Sequence, residues 1–253
     1  MVRLGQNFLA DRNLLAAIVR DARLRPEDVV LEVGGGEGVL TAALAPLVRR
    51  LWVVELDERL RPQLERVAAE HGSVRLVWGD ALRVELGELD PAPNRMVSNL
   101  PYSVATPVLL RTIAELAGLE RWLVMVQLEI AERLRAAPGS KAYGAPSALV
   151  QLCCRVELLR TVDPAVFVPR PRVRSALVAL ERIAPWPGEW VARVVRGAFA
   201  HRRKALARSL ASAGVVSRER ALEALEALGL DPGVRAEALA PRELAALAGE
   251  LEG

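Results

Sequence analysis

The 253-residue chain has no apolar run able to cross a bilayer; stretches such as "LVMVQL" from Leu123 fall far short of the roughly 20 residues required. Its opening, "MVRLGQNFLADRNLL", has charge but neither a long apolar core nor a small-residue cleavage site, so no signal peptide is expected. Cysteine is nearly absent. The only two, Cys153 and Cys154, are neighbours that cannot form a useful staple and lack metal-site spacing. Buried thiols, a cytoplasmic location and no metal centre are expected. Lysine is almost missing too: Lys141 and Lys204 are the only lysines among 34 basic residues. Arginine suits phosphate and base-plane contacts, but the same bias, like the scarcity of Asn and Gln, accompanies a GC-rich genome or heat adaptation. The net charge of +3 therefore names no partner. His71 and His201 lack ligand-like companions, and no internal repeat is evident.

What is present is a globular balance, 52% apolar and 26% charged, enough for a sizeable core. Five short runs rich in β-branched residues, "VVLEV" (29–33), "LWVVEL" (51–56), "VRLVW" (74–78), "RMVSN" (95–99) and "LVMVQ" (123–127), alternate with amphipathic helical patterns. That order predicts an α/β fold with a parallel sheet covered on both faces. Two further strands, near 155–162 and 175–182, flank "DPAVFVPRPRVR" and predict an antiparallel addition at the edge. After Ile183 the composition turns to Ala, Leu, Arg and Glu at helical spacing. The expected division is a catalytic domain over 1–184 and a small all-helical domain over 185–253.

The loop "EVGGGEGVLT" follows a buried strand and opens a helix. Gly34, Gly36 and Gly38 allow a tight turn and close approach to a ligand. Counted from Gly34, the last glycine of a dinucleotide fingerprint falls on Val39, which disfavours a nicotinamide cofactor. Acids stand at the ends of successive strands: Glu32 beside the loop, Glu55 placed for ribose hydroxyls, and Asp80 placed for an adenine amino group. Asp57 reads as the cap of the next helix. Provision for ribose, adenine and a charged group without a pyrophosphate grip fits S-adenosylmethionine.

The fourth strand ends in Asn99-Leu100-Pro101-Tyr102 on the same rim. The exocyclic amine of adenine is a poor nucleophile because its lone pair is delocalised into the ring. Acceptors from the Asn99 side chain and a carbonyl near Leu100 would bind its two N–H groups and turn that lone pair towards a methyl donor. Pro101 stiffens the turn, and Tyr102 offers a stacking face worth roughly 1–3 kcal/mol per base. The base must first leave its stack.

These motifs, with "GQNFL" (5–9), "VVELD" (53–57), "GDAL" (79–82), "VQLEIAERLRAAPGSKAYGAPSALVQ" (126–151), "FVPRPRVRSALVAL" (167–180) and "AFAHRRKALARSL" (198–210), run in order along almost the whole chain. The chain resembles the small-subunit ribosomal RNA adenine N6-dimethyltransferases. The resemblance implies a class I S-adenosylmethionine-dependent methyltransferase: a Rossmann-like seven-stranded sheet with a helical second domain. It implies cofactor contacts from Asn7, Leu9, Gly34, Gly36, Glu55, Asp80 and Asn99, and a Phe167 that faces the flipped adenine opposite Tyr102. The implied substrate is a pair of adjacent adenosines in a hairpin loop near the 3′ end of small-subunit RNA, within a partly assembled subunit, with the enzyme a monomer away from membranes. Leu128 and Ala145 stand where the family commonly has basic residues, Gly35 where Pro is frequent, and Ser103 where Asn is frequent. The first two bear on RNA affinity rather than chemistry.

Two basic stretches, "RPRVR" (170–174) and "HRRKALAR" (201–208), suit phosphate contact, with Arg202, Arg203 and Lys204 the RNA-binding candidates on an "RRKAL" helix. Competing readings are a large-subunit RNA adenine methyltransferase of the macrolide-resistance type and an RNA-binding assembly factor that lost the reaction.

Overall fold

The computed structural model describes residues 8–252. They divide into two compact units: one reaches Ala131 and resumes over Glu157–Arg182, the other comprises Glu132–Val156 and the chain from Ile183 onward.

The first unit carries the sheet. A two-residue strand β1 (Phe8–Leu9) precedes helix α1 (Arg12–Ala22), which Asp11 caps by accepting the Leu14 N–H at 2.7 Å. There follow β2 (Val29–Val33), α2 (Val39–Leu44), β3 (Arg50–Glu55), α3 (Arg61–Glu70), β4 (Val74–Trp78), β5 (Arg95–Asn99), α4 (Ala105–Glu115) and β6 (Arg121–Gln127). After two helices, α5 (Leu128–Leu134) and α6 (Ala145–Cys153), come β7 (Cys154–Val162), the short β8 (Phe167–Val168) and β9 (Ser175–Arg182). The seven-stranded order is β4-β3-β2-β5-β6-β9-β7. Strands β2 to β6 pair in parallel, and β9 runs antiparallel to β6 from Arg121↔Glu181 to Gln127↔Ser175. The expected antiparallel addition is therefore present, with β9 inserted between β6 and the edge strand β7.

The central strands read as unbroken apolar runs because helices cover both faces: all five residues of β2 are buried, and Met96, Val97, Leu123, Val124 and Met125 continue the core. At their amino ends a polar clamp sets the register. Asn94 accepts the Val29 N–H and donates to the buried Asp28, both at 2.8 Å. The consequence for function lies at the other end. Strand β2 has β3 on one side and β5 on the other, so chain order reverses there and a crevice opens beyond the carboxyl ends.

The second unit is helical: α6 with α7 (Glu189–Phe199), α8 (Leu206–Ser212), α9 (Arg218–Ala227) and α10 (Pro241–Glu252). Leu206, Leu210, Leu225, Leu244 and Leu247 form its apolar interior. Two of its aromatic polar groups are paired: Tyr143, buried, donates to the Leu239 carbonyl at 3.0 Å, and the half-buried Trp190 indole to the Ala248 carbonyl at 2.8 Å. The expected helical segment over 185–253 is thus corrected by the inclusion of Glu132–Val156. The Tyr143 bond and the Gly139 N–H bond to the Glu237 carbonyl, 2.6 Å, join that earlier segment to the later helices. Cys153 and Cys154 are both buried and form no disulfide. Among the described residues no helix is long and apolar enough to cross a membrane.

Inside the sheet unit, Trp122 donates to the Thr112 hydroxyl at 3.0 Å, which in turn donates to the Leu109 carbonyl at 2.9 Å. Replacing Thr112 by Val strands a fully buried indole N–H, so Thr112→Val should cost about 1–3 kcal/mol in chemical denaturation. An unchanged unfolding midpoint would refute that chain of donors.

Candidate active site

Beyond the carboxyl ends of β2 to β5 lies a cleft of about 230 Å³. The turn after β2 supplies its floor. Gly34, Gly36 and Gly38 have φ of +81°, +57° and +82°, conformations that L side chains rarely adopt. Space is as restrictive as torsion: a Cβ on Gly34 would lie 3.2 Å from Pro101 Cδ, and one on Gly36 would lie 3.2 Å from the Phe8 ring. Gly35 has a separate requirement, since a Cβ there would meet Val53 Cγ1 at 2.5 Å. That steric need is not visible from glycine spacing alone.

Glu55, at the end of β3 and only 7% exposed, binds this turn to its own. Its Oε2 accepts the Gly36 N–H at 3.0 Å, while Oε1 accepts those of Leu56 at 2.9 Å and Asp57 at 2.8 Å. A carboxylate has about four acceptor sites, so a ribose hydroxyl pair must share with, or displace, one backbone donor. Asp80 follows β4; its Oδ1 accepts the Leu82 N–H at 2.9 Å and its side chain remains partly exposed at the cleft. Asp57 behaves as the expected cap, accepting the Arg59 N–H at 3.1 Å.

The Asn99–Tyr102 turn forms the opposite wall. Strand β5 pairs Asn99 with Met125, and the next N–H, of Leu100, donates to the Met125 carbonyl at 3.1 Å. Pro101 abuts Gly34, so the two loops approach as closely as glycine permits. The Tyr102 hydroxyl shares a 2.5 Å hydrogen bond with Ser175 of β9, which fixes the ring. Burial pushes the Tyr102 phenol above its usual value while the Ser175 bond works against that rise, so the phenol is neutral at pH 7 and is no base.

Leu9, Gly34, Gly36, Glu55, Asp80, Asn99, Leu100, Pro101 and Tyr102 all line this single cleft. Asn7 lies outside the described residues. Phe167 is a correction: it is 2% exposed, sits in the apolar cluster with Leu14 and Ile18, and does not line the cleft. Its two-residue strand pairs Leu9↔Phe167 and so holds the ring in the core. The aromatic that does reach the glycine turn is Phe8, from "GQNFL".

The cleft fits S-adenosylmethionine on two observations. Glu32, Glu37, Glu55 and Asp80 line it and no Lys, Arg or His does, which repels a pyrophosphate and favours a cation. Apolar Val39, Leu56, Ala81 and Leu100 supply walls for a flat base, above a floor that any side chain at Gly34 or Gly36 would fill.

The remaining candidates belong to the helical unit. Arg202, Arg203 and Lys204 occupy the turn between α7 and α8, not a helix as expected, because the helical run breaks after Phe199 and resumes at Leu206. Arg202 donates to the Lys141 carbonyl and to Glu237, each at 3.1 Å, and Lys204 donates to Ser212 at 3.0 Å. Arg202 and Arg203 line a concavity with Lys141 and Arg235, two cations that isolated charge runs did not reveal.

Comparison with known proteins agrees with this geometry. A family model described as "Ribosomal RNA adenine dimethylase" matches residues 2–252. A protein of Rubrobacter xylanophilus named "Ribosomal RNA small subunit methyltransferase A" is 47% identical, over 97% of this chain and 92% of its own length. One of the same name from Thermobifida fusca is 46% identical, over 97% and 88%. Among solved structures, a dimethyladenosine transferase from Plasmodium falciparum shares the fold with a TM-score of 0.79 at 22% identity, covering 95% of both chains. The 23S rRNA methyltransferase ErmE gives a TM-score of 0.67 at 29% identity, over 98% of this chain and 100% of its own. A Rossmann-like sheet with an acidic, glycine-floored cleft and a full-length family match leads to one assignment: the chain belongs to the ribosomal RNA adenine dimethylase family.

Proposed function

We propose that this enzyme methylates N6 of two adjacent adenosines in a hairpin loop near the 3′ end of small-subunit ribosomal RNA, on a partly assembled subunit, acting as a cytoplasmic monomer. The coarser statement holds for the family: it is a ribosomal RNA adenine dimethyltransferase, and S-adenosylmethionine is the methyl donor. The choice of an adenine amine as target is supported chiefly by one observation, the junction of the Asn99–Tyr102 turn with the glycine turn on one cleft wall, and the choice of small-subunit RNA by the names of the relatives.

The chain's own residues account for most of the work. Gly34 and Gly36 give the cofactor backbone-close contact, Glu55 takes its ribose and Asp80 its adenine amino group; when bound, the cofactor supplies an electrophilic methyl. Asn99 and the Leu100 carbonyl accept the N–H groups of the target amine, orient its lone pair and stabilise the positive charge that develops on nitrogen. Tyr102, its hydroxyl held by Ser175, stacks on the extruded base. No side-chain base is required, because the methylated amine can lose its proton to water. Stacking from Phe167 would require the ring to leave its buried place, so the base is better supported by Tyr102 alone. In the helical unit Arg202 and Arg203, with Lys141 and Arg235 beside them, grip RNA phosphates.

The deciding experiment offers labelled S-adenosylmethionine with unmethylated small subunits, large-subunit RNA and duplex DNA, and maps the labelled base by nuclease digestion and mass spectrometry. Dimethyladenosine at neighbouring small-subunit positions is expected. Label confined to large-subunit RNA would replace the proposal with an activity like that of the 23S rRNA methyltransferase ErmE.

Two variants separate chemistry from binding. Asn99→Ala should cut methyl transfer at least about tenfold while RNA affinity stays nearly unchanged, because the lost contact to one amine is a small part of RNA binding and strengthens as charge develops on nitrogen; rapid-quench turnover beside filter binding reads both. Arg202→Ala with Arg203→Ala should weaken RNA binding and lower the log–log salt slope by about 1–2. An unaltered slope would place both side chains away from phosphate.

A further inference from the structure

Of the two cleft carboxyls that the mechanism above leaves unused, Glu37 is exposed and Glu32 is buried. It lies in β2 opposite Val53, lines the cleft and is only 1% exposed. Its environment is the inverse of that of Glu55. Where Glu55 accepts three backbone N–H groups, Glu32 accepts one neutral hydroxyl, Thr41 Oγ1 to Oε2 at 2.8 Å. No Lys, Arg or His pairs with it among the described residues. The charged groups around it are acids: Glu55 from β3, Glu37 from the glycine turn and Asp80 after β4, whereas β5 presents the uncharged Ser98 and Asn99 and α2 only Thr41. Tyr102 is the remaining titratable group at the cleft, and it is neutral.

We propose that Glu32 is a specificity residue for the cationic form of the methyl donor: its carboxyl is protonated in the empty cleft and releases that proton when the cofactor's positive charges arrive. The proposal rests on the cofactor reading above. Burial without compensating donors pushes the carboxyl up to about 8, Thr41 pulling against that rise and Glu55 adding to it. An entering cation reverses the balance, because attraction across a buried, low-dielectric gap favours the carboxylate. Below that value, affinity for S-adenosylmethionine should rise by up to about tenfold per pH unit, then flatten above it. The thioether product has lost the sulfonium charge and draws out the proton less completely. Glu32 therefore weights the cleft towards fresh donor over spent product, a discrimination that shape alone supplies poorly when the two ligands differ by one methyl.

Isothermal titration of the full chain at pH 6.5, in two buffers of different ionisation enthalpy, reads the proton directly. At that pH the ligand's own α-amino group, ordinarily near 7.7–8.0, stays protonated and contributes roughly nothing. Wild type should release close to one proton with S-adenosylmethionine and fewer with S-adenosylhomocysteine. Glu32→Gln, an isostere of the protonated form that keeps the Thr41 partner, should release none and lose at least about fivefold of its preference for the sulfonium. Thr41→Val keeps the carboxyl and removes its donor, so at pH 8.5, where uptake by the ligand's own amine is common to both chains, its net proton release should exceed that of wild type. Binding of S-adenosylmethionine to wild type without proton release, or equal release by Glu32→Gln, would overturn the proposal while leaving the cofactor reading intact. Failure of the wild-type chain to bind S-adenosylmethionine at all would overturn both.

Discussion

A carboxylate buried at the end of β3 and accepting three backbone N–H groups pins the turn after β3 to the turn after β2. Those two strands are hydrogen-bonded neighbours in the sheet, so Glu55 converts strand register into loop position. Once the glycine turn is fixed, Pro101 can touch Gly34 only because no Cβ intervenes, and the Asn99–Tyr102 wall is placed as a result. A site built on strand ends in this way is positioned by the core behind it, and methyl transfer between two small groups demands such placement.

The electrostatics of the cleft follow from the same architecture. Parallel strands deliver their carboxyl ends to one rim, and here three neighbours deliver or adjoin an acid: Glu32 on β2, Glu55 on β3, Asp80 after β4. Their environments then separate them. Glu55 accepts three backbone N–H groups and Asp80 is partly open to solvent, while Glu32 is buried with one hydroxyl donor and is raised. Similar carboxyls are thereby available for different work, one to hold hydroxyls and one to answer a change in ligand charge.

Much of this was legible in the sequence because it is local. Strands β2, β4, β5 and β9 match their expected runs, since short β-branched runs between turn signals are a local pattern, clearest in the fully buried β2. The glycines, strand-end acids and Asn99–Tyr102 turn also fall where spacing put them. What resisted reading depends on residues distant in the chain. Glu132–Val156 joins the helical unit through bonds such as Tyr143 to Leu239, which no local pattern announces. The face taken by Phe167 is set by pairing with Leu9, near the opposite end of the sequence. Arg202 is held by Glu237, 35 residues on, so a run of cations gave no account of how many were already engaged.

The two-residue ladder between β1 and β8 belongs to no larger sheet, and it has few hydrogen bonds to hold it. Phe8 lies against Gly36, and Leu9 pairs with Phe167 in the apolar cluster. Two residues adjacent in the chain thus tie the glycine turn to the core, and the ring at the cleft floor takes its place from a strand far along the sequence.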